Sequence, residues 1–170
     1  MRGYTVALLA ILGLSCTACR DVNKPVPTGT FNMGERAQAG SLIYTVYDSK
    51  WALGLGESVA PRIPANRFLI LSVTAVNSGP QPINIPSFSL VDDSGQIYQE
   101  LASGEGVSNW MGLVRRVRPA DSIQGNILFD VPQKQFKLRV ADEEDHFAFV
   151  NIPLTLSEPP LDVIPGLPKQ

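Results

Sequence analysis

Between residues 35 and 156, apolar and polar side chains alternate in short runs, each closed by glycine, proline, asparagine or aspartate. The longest run begins at Arg67. Leu69, Leu71, Val73 and Ala75 fall on one side of it, and Phe68, Ile70 and Val76 share the other with Ser72 and Thr74. A period of two residues is that of a β-strand, and apolar residues on both faces suit the middle of a sheet packed against a second one. The run stops at Asn77-Ser78-Gly79-Pro80, a cluster of turn formers.

Shorter runs surround it. Glu35 to Ala39 predicts an edge strand, and Leu42 to Asp48 a strand apolar on both faces. The alternation then fails, and Gly54, Gly56, Pro61 and Pro64 predict a loop over Ser49 to Pro64. Ile83-Asn84-Ile85 reads as a brief strand that Pro86 confines to an edge or a bulge. Phe88 to Val91 and Gln96 to Tyr98 flank Asp92-Asp93-Ser94-Gly95, a hairpin signal in which Gly95 supplies the positive φ. Trp110 to Val117 fits either a helical turn or a strand. Further strands are predicted at Ile123 to Phe129, Phe136 to Val140, and Ala148 onward to Leu156. Seven or more short strands without a long amphipathic helix predict an all-β, two-sheet antiparallel sandwich, with a small closed barrel as the alternative.

The first nineteen residues follow a different rule. Arg2 precedes an apolar run, Tyr4 to Leu14, that is too short to span a bilayer and matches a secretory signal. It ends in Ser15-Cys16-Thr17-Ala18-Cys19, which resembles a bacterial lipobox, so residues 1–19 are expected to direct export and lipid anchoring. Two frames stay open. Leu14-Ser15 precedes Cys16 acceptably, and Thr17-Ala18 precedes Cys19 better at the two nearest positions. Cleavage before Cys16 leaves Cys19 as a stray thiol in an oxidising compartment, whereas cleavage before Cys19 leaves none. Neither cysteine is followed by aspartate, which by resemblance to Gram-negative sorting favours the outer membrane. Residues 20–33 read as a tether, 34–156 as the folded domain, and 157–170, with four prolines, as a disordered tail.

Composition narrows the chemistry. A chain of 170 residues suits one domain plus tails, large enough to fold without a metal or disulfide. A formal net charge of −2 gives no field for nucleic acid or anionic lipid. The single histidine, His146, stands beside Asp145 at the start of a strand, with no serine elbow to make it a catalytic base. No enzyme, cofactor or metal site is expected. Zinc lacks cysteine ligands, and neither Asp92-Asp93 nor Asp142-Glu143-Glu144-Asp145 has the spacing of a calcium loop.

Several motifs together resemble a known family. They are Asn32 to Glu35, Leu42 to Val46, Asn66 to Leu69 with Val76 to Gly79, Leu90 to Gly95 with Tyr98, Arg118 to Ala120, and Gly125 to Pro132. Over about residues 32 to 156 the chain resembles bacterial extracytoplasmic immunoglobulin-like domains of an uncharacterised family. That family is often carried on lipoproteins, near the telokin-like fold of a mycobacterial secreted antigen. The resemblance implies an immunoglobulin-like sandwich and carries over no catalytic residue.

One stretch stands out as a candidate surface. Trp110-Met111-Gly112-Leu113-Val114-Arg115-Arg116-Val117-Arg118 joins aromatic, flexible apolar and guanidinium groups, the types favoured at recognition surfaces. Trp110, Arg115, Arg116 and Arg118 are the candidate partner-binding residues. The competing reading makes Trp110, Leu113 and Val117 an end plug, with the arginines in water. The sequence therefore predicts a lipid-anchored envelope protein, held to the membrane through Cys16 or Cys19, that binds an envelope partner without catalysis. The alternative is a small-ligand or metal-ion binding protein.

Overall fold

The computed structural model describes residues 27–56 and 61–154. Cys16, Cys19, the first half of the expected tether and the proline-rich tail lie outside the described residues. Among the described residues there are eleven strands: β1 (Thr30–Asn32), β2 (Ala37–Ala39), β3 (Leu42–Ala52), β4 (Arg67–Asn77), β5 (Ile83–Asn84), β6 (Ser89–Val91), β7 (Ile97–Gln99), β8 (Arg116–Val117), β9 (Ser122–Val131), β10 (Phe136–Ala141) and β11 (Phe147–Ile152). One sheet runs β1-β11-β10-β6-β7 and the other β2-β3-β4-β9, with β5 and β8 forming a separate ribbon. The architecture is an immunoglobulin-like β-sandwich.

β4 lies inside the four-stranded sheet, paired antiparallel to β3 along one side and to β9 along the other. Its row Leu69, Leu71, Val73 and Ala75 is buried in the core between the sheets. There it meets Leu90, Leu138, Ala148 and Val150 of the facing sheet. Burying each large aliphatic chain contributes roughly 1.5–3 kcal/mol. Tyr44 joins the same layer, donating its hydroxyl to the Ala141 carbonyl at 2.6 Å and packing edge-to-face on Phe88. Burial, with the Asp142 carboxylate adding to it, pushes the Tyr44 phenol far above its ordinary range.

Three expectations change. β3 continues to Ala52, so the predicted loop starts later than Ser49. Val46 faces Val73 but Asp48 faces Ser72, leaving Tyr47 as an extra residue in a β-bulge. The bulge moves the inward row from Tyr44 and Val46 to Ser49 and Trp51, so the alternation breaks where the strand merely changes phase. β1 falls inside the segment expected to be a tether, and it pairs parallel with β11, the one exception to antiparallel pairing among the described strands. Trp110 to Val117 is neither a helical turn nor one strand: only Arg116–Val117 forms a strand, while Trp110 makes a single parallel bridge to Asn126.

The outward row of β4 is covered in part. Phe68 and Leu128 pack under Leu55, Leu101 and Val107, so a loop rather than a sheet buries that end. Further along, the outer face turns polar and stays open.

Candidate functional site

The predicted recognition segment is divided by the fold. Arg115 is 1% exposed. Its guanidinium donates to both carboxylate oxygens of Glu100, at 3.0 and 2.6 Å, and lies 4.9 Å from the centre of the Phe88 ring. Glu100 also accepts the Phe88 amide at 2.9 Å. A fork-to-fork pair of this kind satisfies two charges at once, and burial keeps the guanidinium from any surface partner, its Nε having no hydrogen-bond partner among the described residues. Its assignment as a binding residue is therefore corrected: Arg115 is an internal strut. Arg116 and Arg118 are exposed, on β8 and just beyond it. Of the predicted end plug, Val117 is buried, whereas Leu113 is 39% exposed and its neighbour Val114 is 96% exposed.

Trp110 goes elsewhere. The amide of Asn126 donates to the Asn109 carbonyl at 2.8 Å, and that of Met111 to the Asn126 carbonyl at 2.9 Å, laying residues 109–111 along the free edge of β9. Gly125 allows the approach, since a Cβ there would stand 2.7 Å from the Asn109 carbonyl oxygen. Asn109 takes a φ of 50°, a left-handed conformation that asparagine tolerates better than most residues. The Trp110 ring packs against Gly104, and its buried indole N–H has no protein partner among the described residues.

The segment walls a trough of about 590 Å3 on the outer face of β3, β4 and β9. Tyr47 and Trp110 line it, together with Ser72, Gln124 and Asn126. Asp48 and Lys50, paired at 3.2 Å, also line it, with Asn109 and Gly125 completing the wall. The Tyr47 bulge places a 47% exposed aromatic ring here. Its hydroxyl accepts from Gln124 Nε2 at 2.7 Å. Asn126 is held twice, accepting from Ser72 Oγ at 2.6 Å and donating to the Ser108 carbonyl at 2.8 Å. Of the predicted binding residues, the trough includes Trp110 alone. The cleft lies on an outer face, whereas the space between the sheets is filled by side chains.

Both acidic runs prove to be one turn device used twice. Asp92 Oδ1 accepts the amides of Ser94 and Gln96, and Asp142 Oδ1 those of Glu144 and His146, all within 2.9–3.0 Å. The fourth residue of each turn takes a positive φ: Gly95 at 84° and Asp145 at 62°. Lys134 bonds the free oxygen of Asp92 and, with Ser94, holds that carboxyl well below the usual range. His146 Nδ1 lies 2.9 Å from Asp142 Oδ2 and 3.9 Å from Glu144 Oε2. These three side chains bring ligand atoms within 4.8 Å of one another, a grouping the turn geometry itself creates. The Asp142 hydrogen bond, and then its charge, raises the imidazole pKa above its ordinary value. Sequence reading placed His146 beside Asp145; the structure pairs it with Asp142 and Glu144, not with a serine.

A model of a domain of unknown function, DUF4352, matches residues 31–149. No curated protein matches the sequence. Among solved structures, the yjhA protein of Bacillus subtilis is 20% identical with a TM-score of 0.57, covering 72% of this chain and 98% of its own. A secreted protein of Mycobacterium tuberculosis, MPT63, is 16% identical with a TM-score of 0.54, over 76% and 98%. The "putative lipoprotein" ycdA of Bacillus subtilis is 15% identical with a TM-score of 0.56; the match spans 70% of this chain and 38% of that longer one. At these identities the likeness establishes the sandwich fold.

Proposed function

Starting from a chain that belongs to the DUF4352 family of domains of unknown function, we propose an exported, lipid-anchored bacterial envelope protein that serves as a non-catalytic binding module. The observation that carries the binding role is the open trough walled by Trp110, with its polar side chains already held in place by one another. Export and anchoring are supported by the lipobox-like Ser15 to Cys19. They are also in keeping with the description of one protein of this fold as secreted and another as a "putative lipoprotein". The non-catalytic reading rests on His146, whose ring is engaged by carboxylates of its own turn.

One experiment in intact cells tests both parts. Cells expressing the chain with a photo-reactive residue at Gln124 are fed labelled palmitate and irradiated. Label is expected in this protein and absent when both Cys16 and Cys19 are changed to serine; equal label in the two sinks the anchor. Irradiation is expected to give a covalent adduct from Gln124 that the same probe at Leu154, exposed two residues past the end of β11, does not give. Adducts no stronger at Gln124 than at Leu154 sink the trough as a binding site.

A further inference from the structure

We infer that the trough on the outer face of β3, β4 and β9 is a site for a neutral saccharide, held by Tyr47, Ser72, Gln124 and Asn126 beside Trp110. The inference deepens the proposed binding role and rests on that reading.

Three features select this ligand class. The first is charge. Asp48 and Lys50 carry the formal charges of the lining and pair with each other, so the trough favours neither an anion nor a cation. The second is the kind of polar group present. Amides and hydroxyls each offer both a donor and an acceptor, and a sugar hydroxyl is likewise both at once. Tyr47 accepts from Gln124 and keeps its own hydrogen to donate; Gln124 keeps its carbonyl oxygen and a second N–H. Ser72 donates to Asn126 and keeps its lone pairs. Two aromatic side chains stand among these groups, and aromatic rings accept the C–H faces of a sugar while hydroxyl groups point to the amides. No leucine, isoleucine, valine or phenylalanine lines the trough, which disfavours an acyl chain or the apolar anchor of a protein partner.

The third feature is rigidity. Polar side chains at a surface ordinarily lose conformational freedom when they bind, and that loss weakens affinity. Here Asn126 is fixed through both ends of its amide, Gln124 is fixed by Tyr47, and Tyr47 is positioned by a bulge in a strand. The volume of about 590 Å3 falls inside the range of small-ligand pockets, about 300–1,000 Å3.

The test uses the full chain in a detergent without sugar headgroups, titrated with chitotetraose, cellotetraose and maltotetraose, and with a polygalacturonate fragment as the anionic control. Amide chemical shifts and tryptophan fluorescence report binding. At least one neutral tetrasaccharide is expected to give saturable shifts confined to residues around Tyr47, Ser72, Trp110, Gln124 and Asn126. Gln124→Ala and Tyr47→Phe should each weaken it about tenfold, the loss expected when hydrogen bonds worth about 1.4 kcal/mol are removed. Lys137→Ala, on β10 of the other sheet, should leave it unchanged. Absence of localised shifts with all three neutral sugars overturns the saccharide assignment, as does tighter binding of polygalacturonate. If the sugars fail while the Gln124 photo-adduct forms with a protein, the binding module stands without its saccharide. If that adduct is also missing, the binding role itself is lost.

Discussion

Arg115 shows how one residue type can carry two opposite meanings. In a run of three arginines within four positions it reads as surface charge, yet its side chain is sealed beneath Phe88 against Glu100. The readable signal is parity: Arg115 lies two residues before Val117, on the same side of the chain, and Val117 is buried. Nothing local identifies Glu100 as the partner, because the pairing depends on how the two loops cross. Removing one member of such a pair strands the other charge in the core at a cost of about 3–5 kcal/mol. Arg115→Met should therefore destabilise the domain severely. Adding Glu100→Gln removes the stranded charge while keeping an oxygen for the Phe88 amide, so the double variant should regain about 2 kcal/mol or more in urea denaturation. Equal stability of the single and double variants contradicts this account. His146 gives a second residue-scale prediction. Its folded-state pKa is raised above the ordinary 6.5, chiefly by the Asp142 hydrogen bond. The protonated ring thus stabilises the fold fully below that value, and the contribution fades as pH rises through the folded pKa. Melting temperatures of wild type and His146→Asn should converge as pH rises from below the ordinary imidazole value through the raised folded-state pKa. A gap that does not change with pH assigns His146 no titrating role.

At the scale of elements, the strands with uniform alternation were legible and the irregular ones were not. β4, β9, β10 and the β6–β7 hairpin follow their two-residue pattern and turn residues closely. β3 hides its last four residues, Ser49 to Ala52, because a single inserted residue, Tyr47, reverses which side chains point inward. One continuous period cannot extend past that reversal. The same insertion builds the site, since it brings the Tyr47 hydroxyl to Gln124 across the face of the sheet. The trough was half visible. Ser72 and Gln124 with Asn126 appear in the sequence as polar outward positions of β4 and β9, but their meeting requires the register that pairs Ser72 with Asn126. Trp110 was singled out for its chemistry and stands in the wall of the trough, while the arginines grouped with it are absent from that lining. Sequence proximity is a poor guide here because residues 109–111 follow the edge of β9 and residues 116–117 follow β5.

For the molecule as a whole, β1 is the first strand of the sandwich, downstream of the lipobox-like Ser15 to Cys19. Thr28, whose amide donates to the Phe147 carbonyl at 2.7 Å, lies nine residues after Cys19 and twelve after Cys16. At no more than about 3.6 Å per residue, a lipid on either cysteine keeps β1 within roughly 30–45 Å of its attachment point. β1 also covers the outer edge of β11, with Phe31 packed against the core and Asn32 accepting from the Asn151 side chain at 3.1 Å. Without β1, β11 would present an unpaired edge, a template for another copy of the chain. Thr30→Pro combined with Phe31→Pro removes the Phe31 packing and, because successive strand amides point to opposite sides, the one of the two amides that faces β11, so β1 should detach. Hydrogen exchange should then reveal faster exchange at β11 amides, and sedimentation should show larger species than wild type at equal concentration. Unchanged protection and size would make β1 a passive end of the tether. The expected outcome makes β1 a guard: under the proposed anchoring, the segment that leads to the membrane is also the one that keeps the sheet from pairing with its neighbours.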